Sequence, residues 1–451
     1  MQKFLFTLCV AFWSALPVHA DQGEDFVAAR DAYVVGNIAR LDVYANRLQG
    51  YVLEPYVAYW QLRSRLEDAT PETVRAFMWR YGDTLLADRL RAEWLKVLAK
   101  KQEWSLFSAE FPLLLEESVE LTCYALQGRL YNNDETALLE ARALWFSAQT
   151  QPDSCGPLFE AMFTRKVLGP EDVWQRLRLA LEAGDISAAK RIIQYLPAKE
   201  APNPRLIKTI ADRPERYLSR PDYDLKTRAG RELRLFALYR LARNEPQQAA
   251  AYLKKLHDQL NEQERNYAWA EIAYNAAQKH DPDALSWYGE VPPDLLNMQQ
   301  LAWKARAALM AQNWGAMLAS VDALSPLERR ESNWRYWKAR ALKALGKYIE
   351  ADAIFQSLSS EHHYYGQLAG EELGNEYRPP VIAYRPSEAE LSAMQQLPGI
   401  QRALALYRLD LRYEGNLEWQ WTRRNFDDMQ LLAAAEVARR NGLYERAIFT
   451  A

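Results

Sequence analysis

One pentapeptide, Trp-Lys-Ala-Arg-Ala, occupies residues 303–307 and recurs at 337–341, a period of 34 residues. Trp269 stands one further period upstream, within Tyr267-Ala268-Trp269-Ala270. A fixed period of this length is the mark of stacked helix-turn-helix units, because each unit buries its apolar face only against its neighbours. The fold class this predicts is all-α: an α-superhelical solenoid of TPR-like helical hairpins.

The rest of the chain agrees with that class. Leu86, Leu90, Trp94 and Leu95 fall on one face of a 3.6-residue helix. Thr70-Pro71-Glu72 reads as an N-cap followed by proline at the first helical position. Ser387-Glu388-Ala389-Glu390 reads as a capping box. The stretches around Gly184, Asn244 and Gly346 each end a helix on a residue that tolerates the left-handed conformation. Ala188, Ala249 and Ala351 follow on the next helix, where a small side chain lets paired helices approach closely. Strand and hairpin signals are nearly absent, with only 18 Gly and no Asn-Gly or Asp-Gly turn between alternating apolar runs.

The chain begins Met-Gln-Lys, continues with an apolar run from Phe4 to Leu16, and reaches Val18-His19-Ala20. This pattern reads as a secretory signal at residues 1–20, cut after Ala20, rather than as a membrane anchor or a lipoprotein signal at Cys9. The expected compartment is the periplasm. Without the signal, 55 basic residues face 59 acidic ones, which is no nucleic-acid footprint. Of three cysteines, Cys123 and Cys155 survive cleavage. In an oxidising compartment such a pair most simply forms one disulfide, against the alternative of two buried free thiols.

Residues that could carry chemistry are few. His257, His280, His362 and His363 match no zinc or calcium spacing, so neither a metal nor a cofactor is expected. The doublets Glu116-Glu117 and Glu371-Glu372 point in different directions on a helix and read as solvated surface. The 15 Trp, 25 Tyr and 14 Phe could stack on sugar rings, but at helical spacing they read first as core. Three prolines, Pro379, Pro380 and Pro386, interrupt any helix and suggest a boundary between a domain at 21–378 and a smaller helical block at 379–451.

Several segments together resemble the soluble lytic transglycosylase family: 77–95 with Trp104-Ser105-Leu106-Phe107, Cys123-Tyr124 with 154–159, 334–342 through 364–369, Glu418-Trp419, and 431–435. The resemblance spans about residues 24–451. It implies a U-shaped or ring-like superhelical domain, a helical linker domain, and action on peptidoglycan glycan strands, with other cell-wall enzymes as candidate partners. It also implies a disulfide between Cys123 and Cys155. In the family, one glutamic acid cleaves the bond between N-acetylmuramic acid and N-acetylglucosamine, and the muramic 6-hydroxyl closes to a 1,6-anhydro end.

That glutamate sits in a Glu-Ser-x-Phe motif followed by Gly-Leu-Met-Gln, and this sequence has neither. Glu331-Ser332-Asn333-Trp334 imitates the first motif but opens a solenoid repeat. No residue is therefore assigned a catalytic role. The expectation is a chain without the lysozyme-like catalytic domain, either truncated or with a role of its own, that positions or encircles glycan strands. The alternative is a periplasmic helical-repeat scaffold for protein partners.

Overall fold

The computed structural model describes residues 22–220, 225–375 and 384–451. The expected signal, its cleavage point and the 378/379 boundary lie outside the described residues. Among the described residues 27 α-helices follow one another, joined by short 3-10 turns, and there is no strand.

The chain forms two compact units. The first draws on residues 22–137, on Asp153–Cys155 and on the described residues from Tyr384 to Ala451. The second draws on Leu138–Pro152 and on the described residues from Gly156 to Asn375.

In the second unit the hairpins run Arg228–Ala242 with Pro246–Lys255, Glu262–Gln278 with Ala284–Tyr288, Met298–Met310 with Trp314–Asp322, and Ser332–Ala344 with Tyr348–Ser359. The 34-residue register is a register of burial. Ala305, Ala339 and Ala341 are fully buried, Ala307 nearly so, and Trp303 and Trp337 are half-buried. Asn261 and Asn297 open successive repeats with capping boxes completed by Glu264 and Gln300. Each box satisfies two backbone donors that a helix start otherwise leaves orphaned.

The hairpin turns follow the expected chemistry with one exception. Gly184 and Gly346 adopt φ of +77° and +79°. Asn244 does not enter the left-handed region. Its turn closes instead through backbone bonds from Asn244 N and Glu245 N to Leu241 O, at 3.0 and 2.8 Å. Pro246 starts the next helix at once and holds Glu245, the residue before it, out of the α region. Ala188, Ala249 and Ala351 are buried at the hairpin contacts.

In the first unit one core joins the two ends of the described chain. Phe26, Leu41, Leu53, Leu90 and Trp94 share it with Ala405, Leu406 and Trp421. A second cluster lies within the C-terminal helices and includes Leu391, Ile400, Trp419, Ala433, Ala434 and Val437. Cys123 and Cys155, both fully buried, form a disulfide here with their Cα atoms 5.1 Å apart. The Gln127 amide, donating to Ser154 O, holds the same junction.

Candidate functional site

The most enclosed acid of the first unit is Glu418, on the Arg412–Arg423 helix, with no exposed surface. Apolar neighbours place it there: Trp419 and Trp421 bury the same helix. A buried carboxylate needs partners, and Glu418 has two. The Tyr56 phenol donates to one oxygen at 2.7 Å, and Arg402 Nε donates to the other at 2.6 Å. Arg402 also reaches Asp83 Oδ2 at 2.9 Å, and Trp421 Nε1 donates to Asp83 O at 3.1 Å. Burial, then the Glu418 charge, pushes the Tyr56 phenol far above its ordinary range, so it remains a donor. This network fastens helices together. With no exposed surface, Glu418 presents neither oxygen to solvent.

Beside the network lies a cavity of about 160 Å³, lined among others by Leu85, Arg89, Glu116, Leu417, Trp421 and Arg424. The Arg424 guanidinium stacks 3.7 Å from the Trp421 ring centroid. On the Pro71–Arg80 helix of the same unit Trp79 is 90% exposed. It departs from the core role expected for tryptophans and from the burial of its neighbours Phe77 and Met78.

The second unit holds a pair of acids that composition did not single out. Glu271, on the Glu262–Gln278 helix, is 7% exposed. Gln300 Nε2 donates to its carboxyl at 2.8 Å. Tyr267 OH donates to Glu182 at 2.5 Å. Burial, then the charge of Glu182, raises Glu271 to about 8, and burial raises Glu182 in the same direction. Glu271 thus carries a proton at neutral pH, as a general acid would. At this burial, however, no polymer bond can reach it. One signal could have found it: Glu271 stands one period before Ala305 and two before Ala339, so the repeat register places a carboxyl where its homologous positions bury a methyl.

The residues singled out in sequence are placed as follows. Glu331 is exposed and precedes Ser332–Ala344 at the N-cap position, where its side chain makes no capping hydrogen bond. Glu116, Glu117 and Glu371 are exposed. Glu372 is half-buried and pairs with Arg340 at 2.8 Å and Lys343 at 2.9 Å. Burial opposes ionisation of Glu372, but the Lys343 hydrogen bond and the two cations outweigh it and hold its pKa below the ordinary value. His363 caps Tyr364–Glu372 by accepting from Gly366 N at 3.0 Å, and its Nε2 lies 2.8 Å from Glu361. Among the described residues no three His, Cys, Asp or Glu side chains converge as a metal site would require. No described helix is long and apolar enough to cross a membrane.

These features define a helical-repeat scaffold whose most deeply buried acids are committed to packing. A family model described as the soluble lytic murein transglycosylase L domain matches residues 393–451, the helices that carry Arg402 and Glu418. The soluble lytic murein transglycosylase of Escherichia coli K12 is 26% identical over 398 residues, covering 84% of this chain and 60% of that protein. That of Salmonella typhimurium LT2 is 26% identical over 394 residues with the same coverage. An inactive mutant of the lytic transglycosylase Slt from Pseudomonas aeruginosa superposes with a TM-score of 0.71 at 28% identity, over 94% of this chain and 70% of that one. The 70-kDa soluble lytic transglycosylase of Escherichia coli shares the fold, with a TM-score of 0.61 at 20% identity, over 95% of this chain and 70% of that one. The match of residues 393–451 and the likeness of the rest of the chain to these enzymes support the soluble lytic murein transglycosylase family. It spans 60% of the length of the curated relatives it matches.

Proposed function

We propose that this chain is the superhelical domain (21–378) and linker domain (379–451) of a periplasmic lytic transglycosylase, and that it positions or encircles murein glycan strands. The family reaction is cleavage between N-acetylmuramic acid and N-acetylglucosamine with a 1,6-anhydro product. The observation that carries this reading is the likeness to the Pseudomonas aeruginosa enzyme across 94% of the chain. The commitment of Glu418, Glu271 and Glu372 to internal partners supports a holding role over a cutting one. Trp79, exposed on the first unit, supplies an open aromatic face of the kind that stacks on a sugar ring.

A second reading, a scaffold for protein partners, draws on the last helix, where Tyr444, Ile448 and Phe449 are 66%, 75% and 61% exposed. Co-sedimentation of the purified chain with murein sacculi separates the two. Retention above a heat-denatured control supports the glycan reading, and retention equal to that control overturns it. Sacculi incubated with the chain alone are expected to release no 1,6-anhydromuropeptides. Their release would assign the cutting step to a residue of this chain.

A further inference from the structure

Surface cations of this chain commonly sit against carboxylates: Arg63 on Glu93 at 2.5 Å, Arg335 on Glu361 at 2.6 Å, Lys338 on Asp322 at 2.6 Å. Residues 186–216, in the second unit, depart from that pattern. They carry seven Lys and Arg against Glu200, Asp212 and Glu215, a net charge of +4 in a chain whose total is −3. Among the described residues only Lys208 of the seven makes an ion pair, with Asp212 at 2.9 Å.

Three of these cations line one groove. A cavity of about 400 Å³ lies between the Ile186–Ile192 and Pro204–Asp212 helices. Lys190 lines it from the first helix, and Pro204, Arg205, Lys208, Thr209 and Asp212 line it from the second. Lys190, Arg205 and Lys208 are all exposed. Asp212 is committed to Lys208, whose hydrogen bond is the main cause that lowers its pKa. Lys190 and Arg205 therefore flank the groove from two helices with no carboxylate of the described chain to balance them. The apolar side of the Pro204–Asp212 helix is turned inward, with Ile207 and Ile210 fully buried. Its outer side offers charge without an apolar wedge, which suits an anion on a polymer and not insertion into a bilayer surface.

Cations that line one cleft reinforce each other's potential and draw groups of opposite sign into it. Arg205 presents a planar fork that matches a carboxylate, and Lys190 adds a point charge across the groove. In a murein strand the sugars are neutral, and the ionised groups sit on the stem peptides, most of them carboxylates. We propose that the groove between Lys190 and Arg205 binds the carboxylates of murein stem peptides, so that the strand held by this chain is a peptide-bearing one. The inference rests on the glycan-holding role and names the feature of the strand that is recognised.

The test uses the full chain, as wild type and as the double variant Lys190→Gln/Arg205→Gln, whose exposed positions leave Tm unchanged. Retention on intact sacculi is compared with retention on sacculi stripped of their stem peptides by an amidase. Wild type is expected to bind intact sacculi more tightly than stripped ones. The double variant loses that difference, with binding to intact sacculi weaker by up to about fivefold for each cation removed. Equal retention of the two proteins on intact sacculi overturns the groove. Equal retention of wild type on intact and stripped sacculi also overturns it and leaves the glycan reading standing. Retention of wild type on neither overturns the glycan reading, and a nitrogen-15 NMR titration with the free tetrapeptide L-Ala-γ-D-Glu-meso-diaminopimelyl-D-Ala then decides the groove. The acid tetrapeptide is expected to move the amide resonances of Lys190, Arg205 and Thr209, and its fully amidated form to leave them in place. Movement with inorganic phosphate but not with the tetrapeptide overturns the stem-peptide assignment in favour of a phosphate ligand, and movement with neither overturns the site.

Discussion

Tyr56 and Glu418 stand 362 positions apart, yet the phenol of the first donates a 2.7 Å hydrogen bond to the buried carboxylate of the second. Arg402 completes the pair from a neighbouring helix at 2.6 Å. This contact joins the amino-terminal helices of the first unit to its carboxyl-terminal helices.

Removing either charge strands the other in the interior. Arg402→Met is expected to destabilise the first unit by about 3–5 kcal/mol, because Glu418 is left buried and uncompensated. Tyr56→Phe removes one neutral donor and costs about 1–3 kcal/mol. Urea unfolding monitored by tryptophan fluorescence measures both. A cost for Arg402→Met no larger than that for Tyr56→Phe would show that the charge is not held in the interior.

Glu271 makes stability depend on pH. Its pKa is raised in the folded chain, so its contribution is fully present below the ordinary carboxyl value of 4.5 and is lost as pH rises through about 8. Glu271→Gln keeps an acceptor for the Gln300 amide and cannot ionise. The variant is expected to gain on the wild type as pH rises from 5 to 9, by on the order of a few kcal/mol at the alkaline end. Tm against pH for both proteins checks this, and parallel curves would refute it.

Trp79 gives the glycan reading a local handle. Because it is 90% exposed, Trp79→Ala should leave Tm within about a degree while reducing retention on sacculi, since surface substitutions seldom change stability by more than about 0.5 kcal/mol. Unchanged retention would remove Trp79 from the binding surface.

Two glycines of the Tyr364–Glu372 helix should behave oppositely. A Cβ on Gly366 would strike the backbone carbonyl oxygens of Glu361 and Leu358, which cannot swing aside. A Cβ on Gly370 meets only Asn375 at 3.8 Å and Ser359 at 4.0 Å. Gly366→Ala is expected to cost about 1–3 kcal/mol. Gly370→Ala is expected to be neutral or to stabilise by up to about 1 kcal/mol through helix propensity. Chemical denaturation of the two variants side by side measures the contrast.

The helical class, the 34-residue register and the burial of Ala305, Ala339 and Ala351 follow from local rules that depend on spacing along the chain, so the sequence alone determined them. It also contained the Cys123–Cys155 pair and the segments that mark the family. Tertiary structure alone decided the rest. Trp79 faces outward although Phe77 and Met78 face inward. Glu418 is an interior charge rather than part of a solvated surface. The network around Glu418 depends on what distant parts of the chain, Tyr56 and Asp83, place beside it. Spacing fixes which face of a helix a residue occupies, but the environment of that face is set by long-range packing, and burial, charge pairing and pKa all follow from that environment.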